Sequence, residues 1–262
     1  MIAHWDEVAP DQDLGEAAGA VGVSVRRVQL AAGEEATPCT RDCEEVVYVV
    51  AGTGWSGDKP IRAEDCVVYP VPHDPVTLRA GDEGLMVLVF ATPAQPPPFH
   101  SGEPESSEIL NLDAAEPSYE GEAGKWVRFA RQAGAQHAGV NYGHLEPGHA
   151  GAPPHCHSAD EELFVILEGG GTLELWPSPA LAEESPREDH EVRAGNVISR
   201  PPSTAISHFF RAGQAGMTFL AYGTRRPNDV CYYPRSNKIY WRGLGLIARL
   251  EPLDYDDGEP ED

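Results

Sequence analysis

The sequence predicts an all-β protein built as two tandem barrels, and three observations predict it. Short runs rich in Val, Ile, Leu, Phe and Tyr recur between turn residues, as at 45–50, 66–69, 85–90, 163–167 and 217–222. The 27 Gly and 24 Pro are spread throughout, and no long helical periodicity emerges. Four sequence blocks occur twice, in the same order.

The first block pairs Val28-Gln-Leu-Ala-Ala-Gly33 with Gly143-His-Leu-Glu-Pro-Gly148. The second pairs Glu44-Glu-Val-Val-Tyr-Val-Val-Ala-Gly52 with Glu161-Glu-Leu-Phe-Val-Ile-Leu-Glu-Gly169. The third pairs Arg62-Ala-Glu-Asp-Cys-Val-Val-Tyr-Pro70 with Arg193-Ala-Gly-Asn-Val-Ile-Ser-Arg-Pro201, and the last pairs residues 79–90 with 211–222. The offset grows from 115 to 132 along the chain, which places the extra residues mainly in a Pro/Ser/Glu-rich loop between Trp176 and Glu191. The chain reads as an internal duplication. Its expected division is a first barrel over 1–92, a Pro-rich linker over 93–117, a second barrel over 118–224, and an extension over 225–262 ending in an acidic tail. Residues 225–249 have no counterpart in the first half and are expected to pack back on the barrels or on a partner.

Charge excludes several functions. Among 262 residues, 42 Asp plus Glu stand against 19 Lys plus Arg, a formal charge of -23 that repels phosphate backbones and anionic membranes. Neither nucleic-acid nor membrane binding is expected. Only Lys59, Lys125 and Lys238 are lysines, no stretch is long and apolar enough for a membrane span, and the first residues lack a signal-peptide pattern. The expected location is the cytoplasm. Five cysteines without regular spacing (Cys39, Cys43, Cys66, Cys156, Cys231) fit reduced thiols better than a disulfide framework.

The chemistry concentrates in the second half. In His155-Cys-His157-Ser-Ala-Asp-Glu-Glu162, residues two apart on a strand share a face, so His155 and His157 point together while Cys156 points away to pack. Glu162 opens the following strand and turns back to the same face, with Phe164 and Ile166 at its parity lining an apolar cavity. Gly195, Pro201 and His208 supply a second cluster. Three imidazoles and a carboxylate suit a divalent metal in a mixed nitrogen/oxygen site. His4, His100 and His190 read as surface or satisfied core residues, and His144 and His149 as outer or surface groups.

These residues resemble the cupin superfamily. Its first motif is His-x-His, three or four residues, Glu, six residues, Gly, and His155, His157, Glu162 and Gly169 match it. Its second is Gly, five residues, Pro-x-Gly, two residues, His, three residues, Asn. Gly195 and Pro201 match, but Ser203 stands for the Gly, two extra residues precede His208, and Ala212 stands for the Asn. The resemblance spans about residues 20–224 and implies a bicupin of two double-stranded β-helix (jelly-roll) barrels. It further implies that His155, His157, Glu162 and His208 ligate Fe, Mn or Ni, with Zn or Cu as other options. In the first half Pro38 and Thr40, or Cys39 and Arg41, stand where the histidines belong, and Val76 aligns with His208. That barrel is expected to have lost its metal; a separate Cys39/Cys43/Cys66/His73 site is the lesser alternative.

Function stays open among three readings. The first is a metal-dependent oxidoreductase, dioxygenase-like, acting on a small oxygenated metabolite, with Glu162 as ligand, proton acceptor or both. The second is a non-catalytic binding or sensing protein for a sugar or organic acid. The third is a sugar isomerase or epimerase using His144 or Tyr222 as base. The halves pair with each other or the chain forms a homodimer through 1–20 or 225–249.

Overall fold

The computed structural model describes residues 1–10, 12–38, 42–93, 109–183, 185–251, 253 and 256–258. Two antiparallel sheets of duplicated design dominate it. The first has the order Ser24–Leu30, Leu78–Pro93, Cys43–Ser56, Asp65–Tyr69, Ile109–Asn111. The second has the order Ile2–His4, Asn196–Arg200, Glu162–Pro177, Ile206–Thr224, Ala138–Leu145, Gly124–Val127, Tyr119–Gly121. Repeated blocks occupy equivalent strands, so the duplication in sequence is a duplication in space. The expected all-β class holds, and the curled sheets form tandem jelly-roll barrels. Among the described residues no helix is long and apolar enough to cross a membrane.

The glycine that ends the second block explains how each barrel closes. Register shifts flank Gly52 in Cys43–Ser56 and Gly169 in Glu162–Pro177. Both residues have positive φ, 84° and 65°. A Cβ would lie 2.1 Å from the Gly84 oxygen in the first case and 2.2 Å from the Gly216 oxygen in the second. Only glycine permits this bulge, which bends one long strand around the barrel.

Strand alternation then produces three cores. Val47 and Val49 face the first interior with Tyr69, Leu78 and Val87. Phe164 and Ile166 face the second with Ile198, Phe210, Met217 and Phe219. Residues of opposite parity, including Val46, Tyr48, Leu163, Val165 and Leu220, form the third core between the barrels. Burial on both faces is why these strands read as unbroken apolar runs instead of alternating ones. Two one-turn helices, Leu14–Ala17 and Phe129–Gln132, add Leu14 and Phe129 to this core at matching places before each barrel. So short a turn leaves no helical period in the sequence.

The barrels also exchange polymer. Ile2–His4 pairs with Asn196–Arg200 of the second sheet, while Ile109–Asn111 pairs with Asp65–Tyr69 of the first. The segment leading into each barrel therefore caps the sheet edge of the other, which hides edge hydrogen-bonding groups. The divisions drawn from sequence at 92 and 117 cut across these pairings, because hydrogen bonding between distant strands leaves no mark on local composition. Residues 94–108 of the expected linker, and most of the acidic tail, lie outside the described residues. Residues 225–249 pack on the second barrel: Val230–Tyr233, Lys238–Trp241 and Leu246–Arg249 make a small sheet with Cys156–His157.

Buried carboxylates complete the symmetry. Glu44 accepts from the backbone N–H groups of Gln136, His137 and Ala138 at 2.7–2.8 Å. Glu161 accepts from those of Val21 and Gly22, both at 2.7 Å. Each carboxylate thus satisfies the turn that starts the other barrel. Glu44→Ala would strand three backbone donors, one buried and two part-buried, and should lower unfolding free energy by roughly 2–4 kcal/mol in chemical denaturation, against near-zero change for the exposed Glu83→Ala.

Candidate metal centre

His155, His157, Glu162 and His208 converge at one end of the second barrel. Glu162 is the first residue of Glu162–Pro177, at the parity that faces the interior. His155 and His208 are cross-strand partners: each backbone N–H donates to the other's carbonyl, at 3.2 and 2.9 Å. The Glu162 Oε2 atom lies 3.1 Å from His208 Nε2, 3.4 Å from His157 Nε2 and 3.9 Å from His155 Nε2. Ligand atoms of His155, Glu162 and His208 all lie within 4.8 Å of one another.

The irregular second motif has a physical resolution. Ser203 adopts the left-handed conformation (φ 58°) that the motif's glycine would supply, and Ala205 does so too (φ 54°). Ser203 Oγ donates to the Ser158 carbonyl at 2.6 Å, and its backbone N–H to the His157 carbonyl at 2.9 Å. These bonds tie the lengthened loop to the histidine segment. The two extra residues are absorbed there, and His208 reaches the cluster.

Outer residues orient the imidazoles. His157 Nδ1 donates to Asp229 Oδ2 at 2.7 Å and His155 Nδ1 donates to the Pro153 carbonyl at 2.8 Å, which turns both Nε2 atoms toward Glu162. Asp229 is itself fixed by the backbone N–H groups of Ala159 and Asp160. Tyr233 stacks on His155 with centroids 5.8 Å apart, and Cys231 lies beside His155 and His157. Asp229, Cys231 and Tyr233 are not apparent from sequence, because each stands more than 70 residues from His155 and His157 and no local spacing joins them. The one usable signal was that residues 225–249 lacked a counterpart in the first half.

Burial and proximity set the protonation pattern. Burial drives His208 down to about 3, and lowers His155 as well. Burial opposes the charged form of His157 too, but the Glu162 and Asp229 carboxylates override it and raise the group to about 9. Burial opposes the Glu162 carboxylate as well, yet the charge of His157 and the close approach of His208 hold it well below the ordinary carboxylate range. The metal-free cluster is therefore one imidazolium and one carboxylate beside two neutral rings. His157 Nε2, His208 Nε2 and Glu162 Oε2 are buried without a hydrogen-bond partner. Such orphaned atoms aimed at one point are the chemistry of a ligand set, and the residues fit a divalent transition ion.

The first barrel presents a different arrangement at the matching end. Glu45, equivalent to Glu162, lies 3.7 Å from an Arg26 guanidinium nitrogen and 3.4 Å from His73 Nε2. His73 stacks near Tyr69 from the following loop. Cys66 belongs to the core between the barrels, on the face opposite Tyr69, so a Cys39/Cys43/Cys66/His73 site is not assembled. Cys39, Thr40 and Arg41 fall outside the described residues, among which no group of three metal-ligating side chains forms in this barrel.

A cavity of about 400 Å³ opens beside Glu162, lined in part by Trp126, Asn141 and Ala221. Phe164 and Ile166, expected in its wall, are not among its lining residues; they pack in the core of the second barrel, with Phe164 5.1 Å from the His208 ring. The cavity is polar where an apolar one was expected: Arg128, Arg131, Arg225 and Arg242 line it together with Asp160 and Glu162. Of the two candidate bases of an isomerase, His144 is not among the lining residues and pairs with Thr218 and Glu146, while Tyr222 borders the cavity but directs its hydroxyl to Thr92 in the core between the barrels. His149 is exposed, His4 contacts the Ala194 carbonyl and His190 contacts Glu188; His100 lies outside the described residues.

No protein-family model matches the sequence, and no curated protein matches it. Solved structures do. A Bacillus subtilis oxalate decarboxylase studied for its Mn(II) centres superposes with a TM-score of 0.66 at 16% identity, covering 88% of this chain and 78% of that one. The formate complex of Lactobacillus farciminis oxalate decarboxylase gives 0.58 at 16% identity, covering 86% and 80%. Hazelnut (Corylus avellana) vicilin gives 0.52 at 15% identity, covering 80% and 76%. An enzyme and a vicilin share this architecture, so the likeness is one of fold: the chain has the tandem-barrel bicupin fold.

Proposed function

We propose that the chain is a metal-dependent enzyme in which His155, His157, Glu162 and His208 hold one divalent transition ion, Fe, Mn or Ni, and that it transforms a small oxygenated metabolite by dioxygenase-like oxidoreductase chemistry. The observation that carries this reading is the set of buried, partnerless Nε2 and Oε2 atoms directed at one another. When bound, such an ion supplies Lewis-acid or redox chemistry at a substrate oxygen. The chain's own residues do the rest. Asp229 and the Pro153 carbonyl hold the Nδ1 protons of His157 and His155 in place, and so turn both Nε2 atoms toward the centre. Phe164 and Phe210 wall the centre against water, and Tyr233 covers His155. Glu162 lines the cavity and is positioned to exchange a proton with a bound molecule, whereas Asp160, which also lines it, is tied to Thr224 and Arg242.

Decarboxylation is a second reading, supported by the likeness to the oxalate decarboxylases. The two differ in a measurable product. Incubating the Mn- or Fe-loaded protein with a panel of small carboxylic and hydroxylated acids should consume O2 in proportion to turnover if the oxidoreductase reading holds. Release of CO2 without net O2 uptake would favour decarboxylation. Neither product from any member, with tight binding of one, would replace both with a binding protein.

Metal uptake should be coupled to a proton. His157 carries one at pH 7 in the metal-free cluster because its folded value is raised to about 9. The metal must displace it, so affinity should rise about tenfold per pH unit from neutrality to about 9. Calorimetric titration of Mn(II) in buffers of different ionisation enthalpy should find near one proton released at pH 7. In Asp229→Asn, one of the carboxylates raising His157 is gone. NMR titration should then place His157 well below its wild-type value, and proton release at pH 7 should shrink. An unchanged release would contradict the assigned protonation pattern.

A further inference from the structure

We propose that the cavity beside Glu162 is an anion site, and that the metabolite processed at the metal centre carries a carboxylate or phosphate group which docks on Arg225 and Arg131. This deepens the function proposed above and rests on it for the metal end of the ligand. The argument begins with charge. In a chain of net charge -23, only 16 residues are arginine, yet Arg128, Arg131, Arg225 and Arg242 line this one cavity. Like charges gathered at the mouth of a cavity repel each other, and the arrangement is favourable only when something negative joins them.

The carboxylates already present do not fill that role. Asp160 is bonded to Thr224, to the Arg226 backbone N–H and to Arg242. Asp229 takes the other Arg242 nitrogen at 3.5 Å, along with His157. Glu162 is surrounded by three imidazoles. Arg242 is thus spoken for. Among the described residues no carboxylate lies within ion-pairing distance of Arg128, Arg131 or Arg225. Arg225 is half-buried and stands beside Gly139, where a side chain would come within 3.7 Å of its Cδ atom. Its neighbours by charge are Arg131 and Arg242 on one side and the more weakly felt Glu44 and Asp160 on the other; burial first, and then the two arginines, lower its affinity for the proton despite those carboxylates. Three guanidinium forks with unused donors, at the rim of a 400 Å³ cavity whose inner wall holds Glu162, match the planar oxygens of a carboxylate or the oxygens of a phosphate.

The geometry also orders the ligand. Trp126 and Asn141 line the cavity together with Arg128 and Glu162. A molecule held by its anionic end on Arg225 and Arg131 would extend its other oxygens toward Glu162 and the imidazoles. The cavity accommodates a metabolite of a few carbons, not a polymer.

Binding of defined probes tests this. Malonate, succinate, inorganic phosphate and the neutral malonamide would each be titrated calorimetrically into the Mn(II)-loaded and metal-free protein. The same titrations would be run on Arg225→Gln, Arg131→Gln, the double variant, and Arg62→Gln as a remote control. The expected result is binding of at least one anion, none of malonamide, at least tenfold weakening in the double variant, and no change in Arg62→Gln or in Mn(II) stoichiometry. Arg131 is exposed, so its variant remains informative if Arg225→Gln proves unstable. Phosphate binding above both carboxylates would assign the group as a phosphate; the reverse would assign a carboxylate. Equal binding of malonamide, no anion binding at all, or indifference to both substitutions would overturn the proposal. Anion binding that depends on the arginines in a protein that takes up no Mn(II) would sustain the anion site and sink the metal reading alone.

Discussion

Two adjacent carboxylates stand at the start of the long, bulged strand of each barrel, and strand alternation sends them in opposite directions. Glu44 and Glu161 go outward, into the layer between the barrels, where each fastens the turn that starts its neighbour. Glu45 and Glu162 go inward. The outward pair holds two barrels as one body, and the inward pair decides what each barrel contains. A buried carboxylate needs compensation, and the two halves meet that need differently. The first surrounds Glu45 with Arg26 and His73; the second surrounds Glu162 with His155, His157 and His208. A duplicated backbone has thereby diverged into an ion-paired interior and a ligand-lined one.

Much of this was legible in the sequence. Glycines at 52 and 169 mark bulges because no other residue fits against the opposing carbonyl, and their equal placement in two blocks revealed the duplication. The spacing of His155, His157 and Glu162 is a strand-parity argument, and strand parity is a local property. Long-range pairing was not legible. Nothing in the composition of residues 1–10 says that Ile2–His4 completes the second sheet, or that Ile109–Asn111 completes the first. Position 203 is instructive for a different reason. A serine there looked like a departure, but it adopts the left-handed backbone a glycine would, and its hydroxyl offsets the strain by bonding to Ser158.

The segment after Thr224 had no counterpart to compare with, and it carries the features that distinguish the second barrel. Val230–Tyr233 adds itself to the strand bearing the histidines and brings Asp229, Cys231 and Tyr233 to them. Arg242 binds Asp160 and Asp229 together from the next turn of the same sheet, and Arg225 starts the segment at the cavity mouth. The extension thus orients the ligand set and gives the cavity its charge. The expectation of an apolar pocket lined by Phe164 and Ile166 was wrong, because arginines and carboxylates line the cavity beside Glu162 instead. Strand parity describes the barrel but not what folds across its opening.

The central claim is that one metal ion sits among His155, His157, Glu162 and His208, and that the first barrel holds none. Anomalous X-ray diffraction at the manganese edge, from crystals of the protein grown with Mn(II), tests it most directly. The account predicts a single strong peak within coordination distance of those four side chains and none near Glu45 and His73. A second peak in the first barrel, or no peak among the three imidazoles at saturating Mn(II), would contradict it.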